Sequence, residues 1–338
     1  MKKIVPVLIT VLAVIIAVAY FAMSSRAQDS LVVYCAHDSV FAADILAKFE
    51  KKTGIKIVPM YDTEATKSLG LVEMLKAEKK SPRCDVFWNN ELLGIMELKK
   101  EGVLEAYKGE GYDRIPAKFK DPEGCWAGFA SRLRVYIINT DKMKPDEKEI
   151  KNRFAAGDLS RVSIAKPLYG TTLTHYCCLW SEYGEVKLKR MHDDWIARKI
   201  MIVNGNAASK DAVSGGSCDF GWTDTDDYFE AKDDKKPVAV LPVRLDSGKT
   251  ICIPNTVAVI KGTQKLEKAK KLVDYLLSEE CEVVLANSKS RQIPLGPVDE
   301  KKIPEEVWEL KKWADEGISL SELSDIYPKC IQWLKEKL

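Results

Sequence analysis

Three carboxylates fall within four positions in Thr223-Asp224-Thr225-Asp226-Asp227. Crowded acids repel one another unless they are solvated, cap a helix or hold a cation, and hard cations favour such oxygen ligands. Two readings stay open here. Thr and Asp are preferred helix N-caps and the following residues look helical, so capping alone would also explain the run. The later Gly and Glu of an EF-hand loop are absent. His37-Asp38 offers a second candidate, because His is a common ligand of transition metals; alternatively Asp38 or Ser39 caps a helix and His37 is merely exposed. His175 reads as a satisfied helix histidine, and His192, followed by Asp193-Asp194, as a surface residue.

These residues need elements to place them. Leu31–Cys35 and 55–60 read as strands around an amphipathic helix at 39–52, with Phe41, Ile45, Leu46 and Phe49 on one face and Thr53-Gly54 as its stop. A strand–helix–strand unit implies a right-handed parallel crossover. A helix at 66–79, a strand at 85–88 and a helix at 92–100 continue the pattern. Runs at 126–130 and 135–139 are long strands that could cross between two lobes, and 252–260 returns as a second crossing. Between them lie a strand at 163–165, helices at 172–183 and 184–199, and strands at 199–203 and 219–222. Helices at 266–277 and from 305 onward complete the chain. The expected class is α/β.

Several candidate loops follow the carboxyl ends of presumed parallel strands. Open α/β sheets bind ligands there, and helix starts aim free N–H groups into that crevice. The loops are Ala36-His37-Asp38, the stretch with Thr63, Glu64 and Thr66, Asn89-Asn90-Glu91, Gly170-Thr171-Thr172 and the acid run. The hydroxyl-bearing helix starts could form an anion pocket or could be ordinary caps. Asn204-Gly205-Asn206 could be a plain turn.

Composition narrows the class. Lys2-Lys3, an apolar run from Ile4 to Met23 and Ser25 and Ala27 make residues 1–27 a signal peptide or an N-terminal anchor, so the remainder lies outside the cytoplasmic membrane. The leader holds Lys2, Lys3 and Arg26 and no acid, so without it the formal charge of +2 becomes −1. That is no footprint for nucleic acid. About 310 residues remain, more than one core comfortably serves, and two lobes are expected. Nine cysteines contain no CxxC pair; most read as buried small hydrophobes, though some should pair in an oxidising compartment. GxSxG, HExxH, Walker and GxGxxG signatures are missing, which favours a binding module over an enzyme.

From about Leu31 to Pro297 the chain resembles the periplasmic solute-binding proteins of ABC importers, in the ferric-iron-binding group. The resemblance is carried by Val33-Tyr34-Cys35-Ala36-His37-Asp38, Phe49-Glu50-Lys51-Lys52-Thr53-Gly54, Tyr61-Asp62-Thr63-Glu64-Ala65-Thr66-Lys67 and Asp85-Val86-Phe87-Trp88-Asn89-Asn90-Glu91. Gly170-Thr171-Thr172, Gly205-Asn206, the acid run, Ile253-Pro254-Asn255-Thr256 and Ser290-Arg291-Gln292-Ile293-Pro294-Leu295 extend it. It implies a two-lobed fold of the type II periplasmic kind, closing by hinge strands and docking on a membrane permease. The implied division is 31–130 with 255–300, and 131–254 with 301–338. It implies a ferric site at His37, Glu91, Asp226 and Asp227, to which the reading of the acid run adds Asp224. A synergistic anion would sit near Gly170, Thr171, Thr172 and Asn206, with Asp38, Thr63, Glu64, Thr66 and Asn90 as further ligand contacts. The group's two adjacent tyrosines fall where this chain has Asp226-Asp227, and carboxylates suit a hard cation while discriminating less than phenolates. The expected protein is a monomer without organic cofactor. An organic solute (polyamine, thiamine or a phosphorylated compound) and an exported metal-assisted hydrolase are the alternatives.

Overall fold

The computed structural model describes residues 30–62, 69–155 and 157–338, so the leader and the Thr63, Glu64 and Thr66 candidates lie outside the described residues. The chain begins with strand β1 (Leu31–Cys35), helix α1 (Ser39–Thr53) and strand β2 (Ile57–Tyr61), and β1 and β2 pair in parallel. Helix α1 forms where the apolar spacing says it should: Ala42, Ile45, Leu46 and Phe49 are buried, and the left-handed Gly54 (φ 72°) closes the last turn through its N–H on Glu50 O at 2.8 Å. Fully burying a side chain such as Phe49 is worth roughly 1.5–3 kcal/mol.

Helix α2 (Leu69–Ala77), strand β3 (Val86–Asn89), helix α3 (Leu93–Lys100), the short β4 (Leu104–Glu105) and helix α4 (Glu110–Arg114) follow. Strand β5 (Ala127–Asn139) then runs thirteen residues, with a bulge at Ala130 (φ 38°), where its register against the later strand shifts by one residue. Beyond it lie α5 (Glu147–Ala155), β6 (Val162–Ala165), α6 (Gly170–Ala197), β7 (Met201–Val203), α7 (Asn206–Ser214), β8 (Phe220–Asp224), α8 (Thr225–Asp233) and β9 (Val238–Pro242). Helix α6 is broken at Gly184, whose φ of 76° and ψ of 162° leave the helical region, which is why the sequence reads as two helices there. Strand β10 (Cys252–Ile260), α9 (Leu266–Leu276), α10 (Glu279–Ala286), α11 (Glu305–Asp315) and α12 (Leu323–Lys337) complete the described chain.

Among the described residues the strands run in the order β2-β1-β3-β10-β5-β8-β6-β7, with β4 beside β10 and β9 beside β5. Two lobes share β5. Its first half, Ala127–Leu133, pairs antiparallel with β10, and from Arg134 onward it pairs with β8 and β9. The hinge therefore falls between Leu133 and Arg134. Strand β10 lies wholly in the first lobe, and the second crossing is the connection from β9 rather than β10 itself. Strands buried on both faces read as continuous apolar runs: Val257 and Val259 join one core and Ala258 and Ile260 the other. In the tail 301–338, Val307, Leu310 and Ala314 of α11 join a core that holds Phe129, Val135, Phe229 and Val257, and α12 packs along α6 and reaches α3.

The expected cysteine pairing is not found: all nine are free thiols, and eight are buried. Each fills core space, and burial pushes the Cys35, Cys84, Cys178 and Cys281 thiols up, which disfavours the reactive thiolate.

Candidate functional site

The site is organised by two arginines on the shared strand. In Ser131-Arg132-Leu133-Arg134 the period of two puts both guanidiniums on one face, one on either side of the hinge. Arg132 serves the first lobe: its Nη2 donates to Asn90 O at 2.5 Å and its Nη1 to Asn255 Oδ1 at 3.4 Å. Arg134 serves the second and is fully buried. Its Nη1 donates to Asp224 Oδ1 at 2.7 Å, Asn206 Oδ1 at 3.1 Å and Thr171 Oγ1 at 3.3 Å.

A cleft of about 850 Å³ opens over this strand. Eight carboxylate side chains line it against three cationic ones; Asp44, Asp224, Glu230 and Asp233 are paired with Lys48, Arg134, Lys210 and Arg291 behind the lining, which leaves Asp226 and Asp227 among the acids open to a cation. Strand β8 ends at Asp224, and Asp226 and Asp227 occupy the first turn of α8, where the helix dipole favours negative charge. One carboxylate oxygen from each of the three lies within 4.8 Å of the others. Thr223 Oγ1 donates to Asp227 Oδ2, and Asp226 Oδ2 stands 3.8 Å from Arg132 Nε. Burial first, then repulsion by Asp226 and Asp224, pushes the Asp227 carboxyl up to about 8, against smaller opposing effects of Thr223 and Lys210. A group held protonated by burial and by neighbouring carboxylates is one that a bound cation would deprotonate.

Opposite α8, two helix starts meet. Asn206 opens α7 and the Gly170-Thr171-Thr172 turn opens α6, where Gly170 adopts φ 57°. Helix α7 can lie close on the sheet because Gly221 has no side chain: a Cβ there would come within 2.2 Å of Ser163 Oγ and 2.7 Å of Ser209 Oγ. Thr172 Oγ1 donates to Asn206 Oδ1 at 3.0 Å.

The structure brings Asp224, Asp226, Asp227, Thr171, Thr172, Asn206, Gly170, Asn90 and Asp38 to the cleft. His37 and Glu91 do not line it. His37 is buried, stacked on Trp88 at 5.4 Å between ring centroids, with its Nε2 3.2 Å from Gln292 Nε2. Glu91 is buried as well: its carboxylate accepts from Gly94 N at 3.0 Å and Asn89 Nδ2 at 2.9 Å and closes the start of α3. Burial raises the Glu91 carboxyl pKa, and these donors oppose the rise. His175 is buried with Nδ1 3.4 Å from Arg134 Nε, and burial together with Arg134 holds it well below the usual histidine range. His192, expected at the surface, is instead buried, with Nδ1 3.0 Å from Tyr176 OH and Trp333 edge-on, because the second half of α6 turns that face onto α12.

Sequence reasoning missed Arg132, Arg134 and Tyr169, the residue before the Gly-Thr-Thr turn, which lines the cleft. The signal was available: two charges at alternate positions inside an apolar strand are costly unless they are used.

Residues 44–309 match the family of bacterial extracellular solute-binding proteins. Iron uptake protein A1 of Synechocystis is 26% identical over 72% of this chain and 70% of its own. The ferric binding protein from Campylobacter jejuni superposes with a TM-score of 0.80 at 18% identity, covering 91% of this chain and 99% of that one. A periplasmic binding protein of Actinobacillus pleuropneumoniae, solved with fructose-6-phosphate, superposes with a TM-score of 0.67 at 20% identity over 90% and 98%. These structural likenesses establish the fold.

Proposed function

We propose that this chain, which belongs to the bacterial extracellular solute-binding proteins, captures ferric iron with a companion anion between its lobes and hands it to the permease of an ABC importer. The carrying observation is the convergence of Asp224, Asp226 and Asp227 in a cleft whose charged lining residues are mostly acidic. Oxygen-only ligation suits a hard cation. The names of the relatives, iron uptake protein and ferric binding protein, support the same reading. Asp226 and Asp227 are the leading cation contacts, and Thr171, Thr172 and Asn206 hold the anion side. The lobes close by rotation about the Leu133–Arg134 junction. The receptor works as a monomer, free or tethered beside its importer, and does not engage nucleic acid.

One observation favours a second reading. A water occupies about 30 Å³ of liquid, so a cleft of about 850 Å³ has room for a small organic cation such as a polyamine, met by the same carboxylates. Native mass spectrometry with elemental analysis of the purified protein separates the two. One iron per chain after loading with ferric citrate is the expected result. An organic mass retained through purification, with no iron taken up under carbonate, phosphate or citrate, overturns the iron reading.

A further inference from the structure

Two helix starts and a buried guanidinium compose an anion cradle in the second lobe. The part of α6 before its break at Gly184 and the nine-residue α7 contribute their first turns, and Arg134 lies behind them with no solvent exposure. The cradle already holds a carboxylate. Asp224 is 4% exposed. Its Oδ2 accepts from Thr171 Oγ1 at 2.5 Å and from Asn206 Nδ2 at 3.0 Å, and its Oδ1 accepts from Arg134 Nη1 at 2.7 Å. The Thr171 hydroxyl, the Asn206 amide and one Arg134 nitrogen are thereby engaged by the chain itself, while Arg134 Nη2 is buried with no hydrogen-bond partner.

We propose that Asp224 is a built-in anion: it fills the inner part of the cradle, neutralises Arg134, and confines any incoming anion to the outer side, within reach of Arg132. This deepens the reading of the cleft as a cation site with a companion anion, and it moves Asp224 from the cation set to the anion side. Arg132 Nε stands 3.9 Å from Asp224 Oδ2 and 3.8 Å from Asp226 Oδ2, so the outer position lies between the filled cradle and the cation carboxylates. An anion bound there would be held by the Arg132 guanidinium and by the cation, against the repulsion of the neighbouring carboxylates. The logic is that of a buried pair: a guanidinium without its carboxylate is a strongly unfavourable buried charge, so removal of Asp224 creates demand for a replacement.

The test uses the full chain and inorganic phosphate, with no metal present. Phosphate is titrated calorimetrically into the parent, Asp224→Ala and the double variant Asp224→Ala/Arg134→Gln. Asp224→Ala is expected to bind phosphate at least tenfold more tightly than the parent, and the double variant is expected to lose that gain. Asp224→Asn covers the case in which the alanine variant does not fold; it preserves shape while leaving Arg134 uncompensated, so phosphate should raise its melting temperature more than the parent's. A parent that binds phosphate as tightly as Asp224→Ala, a gain that survives without Arg134, or equal phosphate stabilisation of Asp224→Asn and parent overturns the proposal. Because no iron is used, a chain that fails to take up iron can still show this pattern, and the converse.

Discussion

The two walls of the cleft spend their polar residues differently. On the first lobe, Glu91 is turned into its own helix start and His37 into an aromatic stack with Trp88 and Phe41. On the second lobe, Asp226 and Asp227 face the cleft at the first turn of α8, and Asp224, Thr171 and Asn206 form a charged network around Arg134. The first wall is satisfied internally, and the second carries unbalanced negative charge. The difference teaches where the proposed capture would begin: on the second lobe, with Arg132, Asn90 and Asp38 as what the first lobe would bring on closing.

The contrast can be broken most severely at Arg134. Arg134→Gln leaves Asp224 buried without its partner and should cost about 3–5 kcal/mol of stability in denaturant unfolding. Arg132→Gln, released from one carbonyl and one amide oxygen, should cost about 1–3 kcal/mol. Equal losses would remove the distinction between the walls.

On the ligand side, Asp227→Ala should weaken ferric iron binding by at least ~100-fold, beyond the effect of losing an outer-shell partner. His37→Ala should instead lower stability by roughly 1–3 kcal/mol through a lost buried side chain while weakening binding less than about threefold. A loss at His37 as large as at Asp227 would show that the first wall supplies a ligand on closure.

The smallest effects concern protons. An unfolded Asp titrates near ~3.9, whereas Asp227 in the folded chain is pushed up to about 8. Its folded form therefore binds the extra proton between those values, and its contribution to stability falls as pH rises from about 4 to about 8. Asp227→Asn should flatten that slope and stabilise the unliganded protein by ~1–2 kcal/mol at pH 8. Iron binding at pH 7 should release this proton, and affinity should rise by at most about tenfold per pH unit up to pH 8. An affinity that is flat across this window would remove Asp227 from the cation set.

Much of the fold was legible in local pattern. The apolar face of α1 and its Gly54 stop, the parallel β1–β2 crossover and the break at Gly184 follow from spacing and from glycine's backbone freedom. Residues 126–130 and 135–139 read as two runs because Ser131, Arg132 and Arg134 interrupt the apolar pattern, yet Ala127–Asn139 form one strand. The helices α5, α7 and α10 and strand β9 were not legible; they are short, and tertiary packing supplies what their local pattern lacks.

The site divides along the same line. Sequence alone determined that three acids would crowd at 224–227 and that hydroxyl-bearing helix starts would flank a crevice, because those are properties of neighbouring residues. Only the tertiary structure decided which of them meet. It buried His37 and Glu91, drew Arg132 and Arg134 to opposite sides of a hinge, and set Asp224 among Arg134, Thr171 and Asn206, residues 90, 53 and 18 positions away. The physical reason is that a charge's role depends on what lies within a few ångströms of it, and separations of that kind are fixed by strand pairing across the whole chain.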